Sequence, residues 1–300
     1  MVHRLQDRNA VVTGASRGIG RAVALALAEQ GANIVVGTHT TPAEDVVAGC
    51  QKLGVAAIPY YGDVADFRVA GDMVKTCVDR FGRIDILCNI AGVFNPKMIF
   101  DVSEEEWDTM IAVHLKGTFN LTRHATPLMK QQRYGRIVNC IAIVWMGAGA
   151  DAPYSAAKGG IATLTYSTAW DMGAYGVTCN AISPIAGTRD VAGMRDYMWP
   201  KVEKGLWTQE MYDGFMKELM APVEYMSAIV PFLCSDAAAH INGCIFGVSA
   251  SKLSYWTPAR ETVTFARDWE KQGGWTWEDV EKDMPTLLRG YVNPAPQQPA

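Results

Sequence analysis

The strongest constraint on this chain is a rhythm. From Ala10 onward, short runs of β-branched and apolar residues alternate with longer segments of helical periodicity, the pattern that builds a parallel sheet with crossover helices. Strands are expected at 10–13, 33–37, 56–60, 84–89, 136–143, 177–183 and 244–248, most of them continuously apolar, as strands covered on both faces must be. Between them, 18–30 crowds Ala and Leu on one face, 103–130 opens on a capping box of Ser103 and Glu106, and Pro153 starts a helix running to about Tyr175. The expected fold is α/β, a doubly wound sheet of about seven strands with helices on both faces.

Three hundred residues, 49% apolar and 19% charged, suit one large core. We expect a single domain over 1–250 and a C-terminal extension over 251–300, which has no strand pattern and whose last residues, Pro-Ala-Pro-Gln-Gln-Pro-Ala, have a disordered composition. Within the domain the rhythm breaks at 188–221, a segment rich in Met and aromatics that reads as a substrate lid. A net charge of −4 without a polybasic run argues against nucleic acid, and no apolar run approaches the ~20 residues of a membrane span. The charged first ten residues lack a secretory apolar stretch, so a cytoplasmic protein is expected. Seven dispersed cysteines, an odd number, point to reduced thiols, and the absence of CxxC or His pairs leaves no local metal site.

The chemistry begins at Thr13-Gly14-Ala15-Ser16-Arg17-Gly18-Ile19-Gly20, directly after the first strand and opening a helix. Glycines there let the backbone turn sharply toward a pyrophosphate, while free N–H groups and the helix dipole receive its charge. This makes the sheet Rossmann-type. The TGxxxGxG spacing resembles the short-chain dehydrogenase/reductase family, and further blocks follow in that family's order: Asp63-Val64, Asn89-Ile90-Ala91-Gly92, Tyr154-Ser155-Ala156-Ala157-Lys158 and Asn180-Ala181-Ile182-Ser183-Pro184. The resemblance covers residues 8 to about 250. It implies that Asp63 and Val64 border the adenine and that Asn89, Ala91 and Gly92 close over the cofactor. By the same resemblance, the loop from Pro184 through Gly187 to Thr188 holds the nicotinamide carboxamide. Val113-His114-Leu115-Lys116-Gly117 and Ala186-Gly187-Thr188 are similar to the dehydrogenase domains of peroxisomal multifunctional enzymes and their bacterial relatives.

An NAD site needs a carboxylate at the end of the second strand for the ribose 2′-hydroxyl. Here the strand ends Gly37-Thr38-His39-Thr40-Thr41. With no acid at Thr38, and with Ser16, Arg17 and His39 nearby, a 2′-phosphate meets donors and a cation, so NADP(H) is preferred and NAD(H) is tolerated.

Hydride transfer at a carbonyl needs a proton donor or acceptor at the oxygen. Lys158 follows Tyr154 by four residues, so both project from one helix face and an ammonium there favours the phenolate; Tyr154 is the proton-transfer residue. The family resemblance also implies a serine about a dozen residues earlier, but the chain has Ala142 there and no Ser or Thr between Asn139 and Tyr154. Losing one such donor costs ~2.7–4 kcal/mol. Ala142 is an engineered replacement, or Asp151 or Asn139 supplies the donor, or the reaction needs none. His114 stands where the family has an asparagine; it either relays protons through water or packs as an interior histidine.

Trp145, Met146, Met194, Met198, Trp199 and Trp207 are the candidate substrate contacts, since Met and aromatics adapt to a large apolar ligand. Packing of the lid on itself is the competing reading. The small residues Gly159 and Gly160 suit either an oligomer contact, in a homodimer or homotetramer, or close packing of the helix on its own sheet. The leading function is an NADP(H)-dependent oxidoreductase interconverting a secondary alcohol and a ketone on a bulky apolar substrate. The alternatives are a cofactor-binding homologue that has lost turnover, and a dehydration or isomerisation with the cofactor held structurally.

Overall fold

Ala10 and Val12 of β1 (Asn9–Val12) pack into one apolar layer, and Val11 between them packs into another. The split recurs in β2 (Asn33–Thr38), where Ile34 and Val36 oppose Val35. Beyond β3 (Ala57–Tyr61), it recurs in β4 (Ile86–Asn89), where Ile86 and Cys88 oppose Leu87. A period of two with both sides apolar produces a sheet covered on both faces. The first layer is filled by Val23 and Leu27 of α1 (Gly18–Glu29) and Val46 of α2 (Glu44–Lys52). Met73 and Val74 of α3 (Phe67–Phe81) serve the second. Each such side chain, fully buried, contributes about 1.5–3 kcal/mol.

The computed structural model describes residues 3–147, 151–187, 195, 198–200, 202–203, 205, 207–259, 261, 263–272 and 275–289. After β4 come α4 (Glu104–Met110), a π-helical segment Ile111–Lys116 and α5 (Gly117–Gln132). The expected helix over 103–130 is therefore one rod in three parts. Its Ser103–Glu106 capping box is present, but the wider π turn was invisible to a 3.6-residue period. Then follow β5 (Gly135–Cys140), a 3₁₀ turn Ile143–Met146, α6 (Ala152–Gly173), β6 (Val177–Pro184), α7 (Gln209–Leu219), α8 (Ile229–Cys234), β7 (Ile245–Val248) and β8 (Leu253–Trp256). The helices α9 (Trp269–Gln272) and α10 (Trp277–Leu287) follow; α10 buries none of its side chains.

The sheet is eight-stranded, ordered β3-β2-β1-β4-β5-β6-β7-β8, and parallel except at β7–β8. The chain runs outward from β1 through β2 to β3 and resumes on the other side at β4. The crevice at this switch, beyond the carboxyl ends of β1 and β4, is where doubly wound sheets bind ligands. Pro59 sits in β3, an edge strand, where a missing N–H is tolerated.

The eighth strand corrects the reading of the tail as strandless. Leu253-Ser-Tyr-Trp is too short to carry a periodic signal, and antiparallel pairing to β7, Val248 with Leu253 and Ile245 with Trp256, makes it a strand. The last residues, 294–300, expected to be disordered, lie outside the described residues. All seven cysteines are free, and among the described residues no helix is long and apolar enough to cross a membrane.

Candidate active site

The glycine turn occupies that crevice. Gly14 has φ +64°, and a Cβ there would lie 2.8 Å from Ala91 Cα, so the loops after β1 and β4 touch backbone to backbone. The Thr13 hydroxyl ties them by accepting from the N–H groups of Ile90 and Ala91 at 3.0 and 3.1 Å. Gly18 and Gly20 open α1, and Ile19 packs against the first core layer. The cap residue Arg17 is extended and no side chain caps α1, which leaves its first N–H groups to a ligand. This cradle fits a dinucleotide pyrophosphate.

At the end of β2, buried Thr38 donates to the Thr41 carbonyl at 3.0 Å and lies 3.1 Å from Ser16 Oγ. Arg17 and His39 are exposed beside it. Half-buried Asp63 accepts from Ala65 N–H at 2.9 Å, and buried Val64 offers its carbonyl to Asn120 at 2.9 Å. Asn89 turns inward, donating to Asn139 Oδ1 at 2.9 Å. Pro184 ends β6 and Gly187 follows half-buried; Thr188 lies outside the described residues.

Tyr154 and Lys158 sit one turn apart on α6, whose start is set by Asp151 and Pro153. Lys158 is buried and donates to the Cys140 carbonyl at 2.7 Å, with Nζ 5.5 Å from the centre of the Tyr154 ring. Burial pulls the lysine below its ordinary pKa. Burial likewise pushes the Tyr154 phenol well above its ordinary range, and the charges of Cys140 and Asp151 add to the shift. This corrects the expectation that the Lys158 ammonium favours the phenolate: in this arrangement burial outweighs it and the phenol is held protonated. Phe94 and His114 both meet the Tyr154 ring edge-on at 5.2 Å.

His114 lies in the π segment, 2% exposed, with Nε2 2.7 Å from the Val93 carbonyl and 3.0 Å from its N–H. Burial, then the Lys158 charge, lowers its pKa to about 3 against the Val93 hydrogen bond. Ala142 leads the Ile143–Met146 turn with extended backbone, and its carbonyl accepts from Trp145 N–H at 3.0 Å. Of the two candidate replacement donors, Asn139 is committed to the core, bonded to Thr165 and Asn89, while Asp151 is buried beside Tyr154.

Motif reading missed Phe94, the Cys140 carbonyl and Ser155. The Ser155 hydroxyl is buried and without a hydrogen bond among the described residues. Its block was visible; that its side chain would be unpaired depends on packing and left no mark in sequence.

The substrate candidates separate. Met198 is 3% exposed in a cluster with Tyr212, Met216 and Leu219, and Trp207 stacks edge-on against Phe215 at 5.4 Å, so both pack against α7 rather than standing free for a substrate. Trp199, 40% exposed, bonds Glu203 and lines a groove of about 800 Å³ with Arg195, Tyr212, Met216, Lys217 and Met220. Met146 is exposed, Trp145 turns to Trp256, and Met194 lies outside the described residues. Gly159 and Gly160 face their own chain: Cβ atoms there would meet the Trp145 carbonyl at 2.9 Å and the Leu115 side chain at 2.8 Å.

A model of the short chain dehydrogenase family matches residues 8–196. Hydroxyacyl-CoA dehydrogenase ChsB1 of Mycobacterium tuberculosis is 35% identical over 96% of this chain and 89% of its own length. The 3-oxoacyl-[acyl-carrier-protein] reductase FabG of Staphylococcus aureus is 36% identical over 79% of this chain and 94% of its own. Mouse peroxisomal multifunctional enzyme type 2 is 35% identical over 82% of this chain, which spans 32% of that protein. A short chain dehydrogenase from Mycobacterium avium shares the fold with a TM-score of 0.81 and 31% identity, over 99% of this chain and all of the other. By fold, motif order and these similarities, the chain belongs to the short chain dehydrogenase family and is an NAD(P)-dependent oxidoreductase.

Proposed function

We propose that the protein is an NADP(H)-dependent oxidoreductase interconverting a secondary alcohol and a ketone on a bulky, largely apolar substrate. The observation that carries this reading is the pairing of Tyr154 and Lys158 on one helix face, behind a glycine cradle that fits a pyrophosphate. A nicotinamide bound in the crevice supplies or removes the hydride. Tyr154 gives its proton to the substrate oxygen in reduction, a role suited to a phenol held protonated. Lys158 keeps N–H donors beyond its Cys140 bond for a ribose hydroxyl and for compensating charge at the phenolate. The missing donor at Ala142 is replaced, in this reading, by the buried Ser155 hydroxyl, unpartnered among the described residues, since Asp151 as a carboxylate can only accept. The acid-free end of β2, with exposed Arg17 and His39, supports NADP(H). The apolar walls of the Trp199–Met216 groove support a bulky substrate, and the acyl thioester names of the relatives agree with one.

The test follows nicotinamide absorbance with NADPH and a panel of bulky ketones and 3-oxoacyl thioesters. Tyr154→Phe is expected to abolish turnover. Ala142→Ser raises it by about two to three decades if no other group has taken the donor role, and changes it little if Ser155 has. Arg17→Ala weakens NADPH about tenfold and leaves NADH unaffected; equal weakening overturns the NADP(H) assignment. NADPH binding without turnover by either the wild type or Ala142→Ser favours the cofactor-binding homologue.

We further propose a homodimer or homotetramer formed through the outer faces of α5 and α6, where Phe119 is 46% and Trp170 is 89% exposed.

A further inference from the structure

We propose that Trp256, on the C-terminal strand β8, is a positioning residue: it sets how deeply the turn at 142–146 sits against the helix carrying Tyr154 and Lys158. The argument runs through Trp145, which is held at three points. Its indole meets that of Trp256 edge to face, with centroids 6.1 Å apart and planes at 82°. Its backbone N–H donates to the Ala142 carbonyl at 3.0 Å, closing the turn that begins at the vacant hydroxyl position. Its own carbonyl rests on α6 at Gly159, so closely that a Cβ there would approach it to 2.9 Å. The two indoles share one apolar cluster with Ile141, Ile161, Ile245 and Tyr166.

Trp256 reaches that cluster because of pairing register. In β8 Leu253 and Tyr255 are exposed while Ser254 and Trp256 turn inward, and Trp256 stands opposite Ile245. A Cβ on Gly247 would meet Ser254 Oγ at 2.5 Å and Trp256 Nε1 at 3.0 Å, so the pyrrole edge of the indole is seated closely against β7 at a position only glycine leaves open. A push on one face of the Trp145 ring is therefore transmitted through a rigid indole to Trp145's own backbone, whose carbonyl rests on α6 at Gly159. The residue after the core strands, in a segment outside the motif blocks, thus fixes the distance between position 142 and Tyr154.

The kinetic consequence rests on the proposed reaction; the structural one does not. The test uses the full chain with Trp256→Leu, which keeps an apolar side chain, Trp256→Phe, which keeps a ring, and Leu253→Ser, an exposed change on the same strand. Hydrogen exchange at the Trp145 and Gly147 amides, which bond to Ala142 and Val144, is read alongside kcat, KM and NADPH affinity. In Trp256→Leu these amides exchange faster and kcat falls about tenfold, the order expected when a positioned group is slightly misplaced. KM and NADPH affinity stay unchanged, Phe restores most of kcat, and Leu253→Ser behaves as wild type. Unchanged exchange at the turn overturns the proposal. So does a parallel loss of kcat, NADPH affinity and Tm in both Trp256→Leu and Leu253→Ser, which would make β8 a general stabiliser. If no ketone is turned over by any form, faster exchange still supports the positioning while the proposed reaction fails.

Discussion

His114 illustrates what burial does to a titratable side chain. Its pKa, about 3, lies below the ~6.5 of an unfolded histidine, so the unfolded chain takes up the proton first. The stability this neutral ring provides is complete above about pH 6.5 and declines by ~1.4 kcal/mol per unit as pH falls toward its folded value. Urea unfolding is therefore expected to show about 2 kcal/mol less stability at pH ~5 than at pH ~7 from this group, a difference that His114→Asn removes. The pH–rate profile should likewise lack a limb near ~6.5, because His114 stays neutral throughout. These expectations favour an anchor for the Val93 backbone over a proton relay. Tyr154 and Lys158 were legible because a four-residue spacing alone brings them together. Phe94 and Ser155 were not, since their places depend on the path of a loop and the closure of a packed helix.

Among elements, the β1–α1 turn was the most legible, because its demands are local: a positive φ at Gly14 and a helix start free of side-chain caps. Gly14→Ala is expected to cost about 1–3 kcal/mol and to weaken NADPH, since the new methyl both strains φ and drives against Ala91; urea unfolding paired with cofactor titration measures both. Strand positions followed from apolar runs, with ends shifted by a few residues. At β5, the expected strand to 143 stops at Cys140 so that Ala142 can lead the 3₁₀ turn. The π segment and β8 escaped because one is a single-turn departure from the helical period and the other is defined only by its neighbour. The methionines and aromatics of 188–221 were visible as composition, but composition could not say that Met198 and Trp207 pack against Tyr212, Phe215 and Met216.

At the scale of the whole molecule, the doubly wound sheet was readable because every β-α repeat carries the same signal, while the arrangement of copies was not. Trp170 stands almost fully exposed on α6 on the face opposite the sheet, and the proposed assembly would cover it. Light scattering on Trp170→Glu should report a smaller particle than the parent chain; an unchanged mass would move the interface elsewhere. The antiparallel strand at the end of the sheet matters in time as well as in space. A ribosome makes β7 before β8, so the nascent protein carries a raw sheet edge, able to template pairing with another chain, until Leu253–Trp256 emerges. β8 is thus also a guard: it closes the edge with four residues, too short to offer a neighbour much purchase, and with Pro258 soon after to stop the ladder growing.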